Sequence, residues 1–180
     1  VRDNTPPVIS LLGIYPLSDH AEINNGYNPL FLEVRDGKVA GDPVVHVHGE
    51  FGFGVEVFDY LDGSANRCGI YSLELFRDDR LLFRTEMSEF SFSESRFINA
   101  HIDYALKHEK GRNVQRLYKL PFNELGIYRV AENDGILSTP DTAGQHFRIV
   151  ATDTYGNAAE VSLRVKGKKE PGRILKKKGA

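Results

Sequence analysis

The sequence lacks several residues on which other classes of protein depend. It has a single cysteine, Cys68, so it has no partner for an internal disulfide, and it has no tryptophan. It also has no uninterrupted apolar run of 18 residues, so the sequence predicts no membrane span. These absences exclude a disulfide-stabilised scaffold and an antibody-type domain, whose core combines a disulfide with a buried tryptophan.

The sequence does contain enough apolar residues for one hydrophobic core. Of the 180 residues, 41% are apolar, which fits a single domain. The charge is unevenly spread, because residues 166–180 carry a formal charge of +6 and leave −8 on the remainder. We interpret 166–180 as a basic flexible tail. An acidic body repels phosphate, so we expect no nucleic-acid partner.

Alternation in the middle of the chain predicts a central β-strand. Apolar residues recur there at every second position, and these residues are Phe51, Phe53, Val55 and Val57. Side chains two residues apart lie on the same face of a strand. The opposite face carries Gly52, Gly54 and Glu56. We therefore expect a half-buried strand.

Other segments complete a predicted all-β sandwich of seven to nine strands. Eight further segments have the composition and flanking turn residues of strands, namely 8–14, 30–34, 44–48, 70–76, 81–85, 115–120, 145–153 and 160–165. The stretch 88–143 is less regular, and we interpret it as an insertion that contains the predicted strand 115–120 and a short helix over 104–109. Two consecutive prolines make 1–7 an extended linker, which leaves 8–165 as the sandwich domain.

His46 and His48 are candidate zinc ligands because they lie on one side of a predicted strand. A hydrolytic zinc normally needs three protein ligands, and the other histidines form no second local cluster. Alternatively, Val45 and Val47 face the core while the histidines face solvent or a neighbouring strand. We favour this interpretation, since an alternating strand explains the pattern without a metal.

The loop after the central strand is a candidate calcium site. Asp59, Asp62 and Asn66 provide the oxygen ligands that calcium prefers. Their spacing does not match the EF-hand loop, and Asp-Gly-Ser is equally typical of an ordinary turn. We favour the turn. The sequence thus predicts no catalytic residue and no bound cofactor.

Two motifs resemble the ends of bacterial immunoglobulin-like domains, namely NTPPVI at 4–9 and ATDTYGN at 151–157. Between them, GFGVEVFDYLDGS, GIYSLELF and SFSESRFINAHIDY are similar to a region that follows the catalytic domain in bacterial lysostaphin-like zinc endopeptidases, which are murein metallopeptidases. The resemblance covers nearly all of residues 4–165. It implies an immunoglobulin-like β-sandwich in an envelope protein that acts on peptidoglycan.

The catalytic motifs of that family are incomplete in this chain. Its zinc site pairs an H-x-x-x-D motif with a later H-x-H, and His46-Val47-His48 is similar to the second element. Asn24 stands four residues after His20, so the first element is missing there.

We therefore expect a non-catalytic accessory domain in the bacterial cell envelope, either periplasmic or exported. The chain has no initiator methionine, and we expect it to be part of a longer polypeptide. The expected partners are a neighbouring peptidase domain, the cell wall or an envelope protein. Two alternatives remain, a zinc metallohydrolase using His46 and His48 and a carbohydrate-binding module. The second would use tyrosines as sugar platforms, with Tyr15, Tyr27, Tyr60 and Tyr71 as candidates.

Overall fold

The structure is a computed structural model that describes residues 3–60, 67–68, 70–87, 98–140 and 142–168. In this part of the chain, thirteen strands form two sheets that pack against each other. The strands are β1 (Val8–Pro16), β2 (Glu22–Ile23), β3 (Leu30–Arg35), β4 (Lys38–Val39), β5 (Val44–His48), β6 (Phe51–Tyr60), β7 (Arg67–Cys68), β8 (Ser72–Arg77), β9 (Arg80–Glu86), β10 (Val114–Arg116), β11 (Tyr128–Ala131), β12 (Gln145–Thr152) and β13 (Ala158–Gly167). The helical elements are α1 (Ile98–His101), α2 (Tyr104–Lys110) and a 3-10 turn (Glu132–Gly135).

The two sheets have different strand orders. The first has the order β10-β6-β1-β3-β4, with β7 beside β6, and the second has the order β11-β9-β8-β12-β13-β5-β2. Among the described strands, β13 and β5 are parallel and the other paired strands are antiparallel. In an immunoglobulin-like sandwich, strands A, B and E are neighbours in one sheet and C, F and G in the other. The groups β1-β6-β10 and β8-β12-β13 have this relation, and the predicted all-β sandwich is confirmed. The thirteen described strands exceed the seven to nine predicted, because β2, β4, β7 and β11 are only two to four residues long and too short to show alternation.

The main core lies between the two sheets and contains the apolar face of β6. As the alternation predicts, Phe51, Phe53, Val55 and Val57 are all buried there. They pack with large buried side chains from both sheets, including Leu12, Ile14, Leu73, Leu75, Phe83, Phe147 and Ile149. Burial of so much apolar surface is the main stabilising contribution to the fold.

The other face of β6 is also buried, so the prediction of a half-buried strand was wrong. A second apolar cluster covers this face and consists of Leu11, Tyr15, Leu106, Val114 and Tyr118. The two glycines of β6 allow the close approach. A Cβ atom on Gly54 would lie 2.8 Å from Val114 Cγ1, and one on Gly52 would lie 2.5 Å from Tyr118 Cδ1.

The insertion contains the predicted helix, which supplies part of this second cluster. Helix α2 begins at Tyr104, where the Asp103 carboxylate accepts a hydrogen bond from Leu106 N, and ends before Gly111 at φ 66°. The strand predicted over 115–120 begins one residue earlier and ends at Arg116. Leu117 N still donates to Phe53 O of β6 at 2.8 Å, but Lys119 N donates to Asp134 O at 2.7 Å, so the backbone of Lys119 bonds to the 3-10 turn instead of β6.

Both ends of the described chain pack against the sandwich. Asp3 and Pro7, which lie in the predicted linker, are buried. Strand β13 continues to Gly167, beyond the boundary predicted at 165, and Lys168 N donates to Val47 O at 2.7 Å. The rest of the basic tail, 169–180, lies outside the described residues.

We expect Gly156→Val to destabilise the hairpin between β12 and β13 by about 1 kcal/mol or more, because valine strongly disfavours positive φ. Gly156 has φ 89°, and a Cβ atom there would meet nothing within 4 Å. The destabilisation therefore comes from the backbone conformation and not from a clash with a neighbouring residue. Urea denaturation checks this result, with exposed Thr154→Val as the matched control. Equal midpoints for the two variants would contradict the hairpin conformation.

Candidate functional site

The candidate zinc ligands lie on the outer face of β5. Val45 and Val47 are buried in the main core, whereas His46 is exposed and His48 is half-buried. This arrangement confirms the predicted alternation. His48 Nδ1 lies 3.3 Å from Lys168 O. In the part of the chain that the structure describes, neither histidine belongs to a group of three converging metal-ligating side chains.

Tyr15, one of the candidate sugar platforms, is not available to a sugar. It is buried in the second cluster, where its ring centroid lies 5.7 Å from those of Phe31 and Tyr118. Its hydroxyl donates to Asp103 Oδ2 at 2.8 Å. Among the other three candidates, Tyr27 is exposed, whereas Tyr60 and Tyr71 are half-buried.

Of the three candidate calcium ligands, the structure describes only Asp59. Asp62 and Asn66 belong to 61–66, which lies outside the described residues. Asp59 is only 2% exposed. Its carboxylate lies with those of Asp3 and Asp153, and one oxygen from each of the three lies within 4.8 Å of the others. The structure therefore brings together an aspartate cluster, Asp3-Asp59-Asp153, that sequence reasoning found only in part.

The alternation of side chains between the two faces of a strand explains why Asp59 and Asp153 meet. Asp59 continues the odd-numbered positions of β6, whose side chains face the core from Phe51 to Val57. Asp153 continues the odd positions of β12 in the same way, after the buried Ala151. Each carboxylate thus lies where an inward-facing row reaches the end of the sandwich. Asp3 precedes β1 and joins them there.

Asp153 is held in a fixed orientation by its own turn. Its Oδ1 accepts hydrogen bonds from Tyr155 N at 2.8 Å and Asn157 N at 2.9 Å, and its Oδ2 accepts one from Asn157 Nδ2 at 2.8 Å. Such a carboxylate-capped turn is typical of aspartate. Asn157 Nδ2 also donates to the carbonyl oxygen of Asp3 at 3.1 Å, which links the turn to the N-terminal segment.

The Asp59 carboxylate is only partly compensated by the described residues. Its Oδ1 is buried and has no hydrogen-bond partner there. Burial raises the pKa of Asp59, and the negative charges of Asp153 and Asp3 raise it further. Three buried carboxylates at this separation form a strongly negative, all-oxygen site, which is the kind of ligand set that hard divalent cations prefer.

A second buried polar group joins the insertion to both sheets. His101 is fully buried, and its Nε2 lies 3.3 Å from Gln115 Oε1. Its Nδ1 lies 3.3 Å from the hydroxyl of Tyr128, which accepts a hydrogen bond from Asn123 Nδ2 at 2.9 Å. We assign a neutral imidazole protonated on Nε2, since that tautomer matches both contacts. Burial lowers the pKa of His101 to about 4, in agreement with this assignment.

The sequence matches no protein-family model, and comparisons with curated proteins and with solved structures also find no match. Within the described ranges, no helix is both long enough and apolar enough to cross a membrane. The function is therefore inferred from the residues and their geometry.

Proposed function

We propose that this chain is a non-catalytic accessory module of a bacterial cell-envelope protein, adjoining a zinc metallopeptidase that cleaves peptidoglycan. The supporting observation is a contact between the closing motif that resembles bacterial immunoglobulin-like domains and the residue just before the opening one. Asn157 of the closing motif binds the carbonyl oxygen of Asp3, which directly precedes the opening NTPPVI motif. This contact gives the entering chain a defined direction relative to the sandwich, as a positioning module requires.

The placement of the two histidines favours a non-catalytic module over a hydrolase. His46 and His48 occupy the outward positions of β5, and the valines beside them fill the core. A strand with this alternation is required by the packing of the sandwich, whatever residues stand at its outward positions. The outward placement of the two histidines therefore follows from the strand alternation alone and requires no metal.

Zinc analysis and a peptidoglycan hydrolysis assay test this proposal on the purified 180-residue chain. We expect less than one zinc per ten chains and no release of soluble fragments from purified sacculi, because a hydrolytic zinc needs three protein ligands and an open position for water. The His46→Ala, His48→Ala double variant should behave as the wild type does. One zinc per chain and hydrolysis, both lost in a double variant with unchanged melting temperature, would establish the metallohydrolase instead.

A further inference from the structure

We propose that Asp3, Asp59 and Asp153 bind one calcium ion, and that this ion fastens the N-terminal segment 3–7 to the end of the sandwich. The site is independent of the proposed envelope function. It differs from the calcium loop considered from the sequence, because two of its three carboxylates come from outside that loop.

The separation of the carboxylates fits a shared ion. Calcium binds oxygen at about 2.3–2.6 Å, so two of its ligand oxygens lie at most about 5 Å apart. One oxygen from each aspartate meets this limit, because all three lie within 4.8 Å of one another. The three carboxylates therefore require little movement to coordinate one ion.

The buried oxygen of Asp59 provides a second, independent indication of a ligand. A buried acceptor without a partner is costly, and such atoms are rare in folded proteins. Asp59 is 2% exposed, and its Oδ1 accepts no hydrogen bond from the described residues. A cation that binds the Asp59 carboxylate through Oδ1 would satisfy this oxygen and neutralise most of the charge of the cluster.

The ligand chemistry favours calcium over zinc and magnesium. The cluster consists of carboxylates alone, whereas zinc sites in proteins generally include histidine or cysteine. Magnesium retains several waters and demands near-ideal octahedral geometry. Calcium accepts six to eight oxygens in flexible arrangements, and carboxylates bind it with one or both oxygens. All three aspartates are nearly inaccessible to solvent, which suits an ion held mainly by protein oxygens.

The position of Asp3 links the ion to the N-terminal segment. Asp59 lies within β6, and Asp153 is fixed by the turn after β12, so their backbones are held by the sheets. Asp3 lies before β1 and outside the sheets. Without a cation, the three negative charges repel one another. Movement of segment 3–7 away from the body relieves this repulsion without breaking a strand pair, so calcium favours the docked segment.

Thermal unfolding of the full chain tests the site. Relative to EDTA, we expect calcium at about 100 times its dissociation constant to raise the melting temperature by about 5–10 °C. Asp59→Asn should abolish this shift. In EDTA, the Asp59→Asn variant should melt at or above the wild-type temperature, because the substitution removes one of three repelling charges. Asp79→Asn is the matched control, since Asp79 has a side chain that is 96% exposed, and it should retain the full shift.

Hydrogen exchange tests the fastening of the segment separately. We expect the backbone amides of Asn4 and Thr5 to exchange at least tenfold faster in EDTA than in calcium in the wild type, and equally fast in both for Asp59→Asn. The calcium site is wrong if the wild type shows no shift, if Asp59→Asn retains it, or if magnesium at the same concentration produces an equal shift. A calcium-dependent shift with unchanged exchange at Asn4 and Thr5 would refute the fastening alone.

Discussion

The Phe53→Ala variant is expected to lose about 3–5 kcal/mol of unfolding free energy, through lost apolar burial and the cavity left behind. Phe53 is fully buried between the two sheets. Its ring centroid lies 5.7 Å from that of Phe51 and 5.2 Å from that of Phe147, so the substitution removes contacts with both sheets. Urea denaturation followed by circular dichroism measures the change.

Phe122→Ala is the matched control for this substitution. Phe122 is 93% exposed, so removing its ring should change the free energy of unfolding by less than about 0.5 kcal/mol. A Phe53→Ala variant that unfolds at the wild-type urea concentration would place Phe53 outside the core. The two-sheet packing would then be wrong.

Stability should fall by about 3 kcal/mol between pH 7 and pH 4 on account of His101 alone. The pKa of His101 is about 4 in the folded protein, below its usual value of 6.5, chiefly because burial disfavours the charged imidazole. Gln115 raises the pKa through its hydrogen bond, and the nearby Arg116 charge lowers it.

The sign of this pH effect follows from proton binding. Between pH 6.5 and pH 4, the unfolded chain binds a proton at His101 that the folded chain does not, so the folded state becomes less favourable as the pH falls. The stabilisation that neutral His101 contributes to the folded state is fully present above about pH 6.5 and is lost as the pH falls through about 4.

A comparison of variants isolates the contribution of His101 from that of the carboxylates. His101→Gln cannot titrate, so its stability should decline about 3 kcal/mol less than that of the wild type over this range. His146→Gln changes an exposed histidine and should keep the wild-type slope. Parallel pH profiles for the wild type and His101→Gln would show that His101 is not buried as a neutral side chain.

The strands could be predicted from sequence because alternation in a two-layer sandwich is a local signal. Strand β5 has the predicted bounds, Val44–His48, since its buried and exposed residues alternate without interruption. The second cluster was missed because the side chains that cover Gly52 and Gly54 come from distant parts of the chain, including Val114 and Tyr118. The segments that contain Val114 and Tyr118 are too short to show a strand or helix periodicity, so the sequence does not reveal that they cover this face of β6.

The aspartate cluster was only partly predictable for a similar reason. Asp59 was a candidate because it begins an oxygen-rich loop, but its partners are remote in sequence, and Asp153 meets it only because the two sheets pack against each other. A usable signal did exist, because Asp59 and Asp153 each extend an odd-numbered row of buried residues. An aspartate at the end of such a row faces inward, which calls for a compensating partner. Asp3 carries no comparable local signal.

A crystal structure of the chain grown with calcium, with anomalous data to identify the ion, tests the calcium site most directly. We predict one calcium peak between Asp3, Asp59 and Asp153, with a carboxylate oxygen of each at about 2.3–2.6 Å. Segment 3–7 should be ordered against the sandwich in the same crystal. Three carboxylates with no ion between them at saturating calcium, or an ion bound without Asp3, would contradict the account.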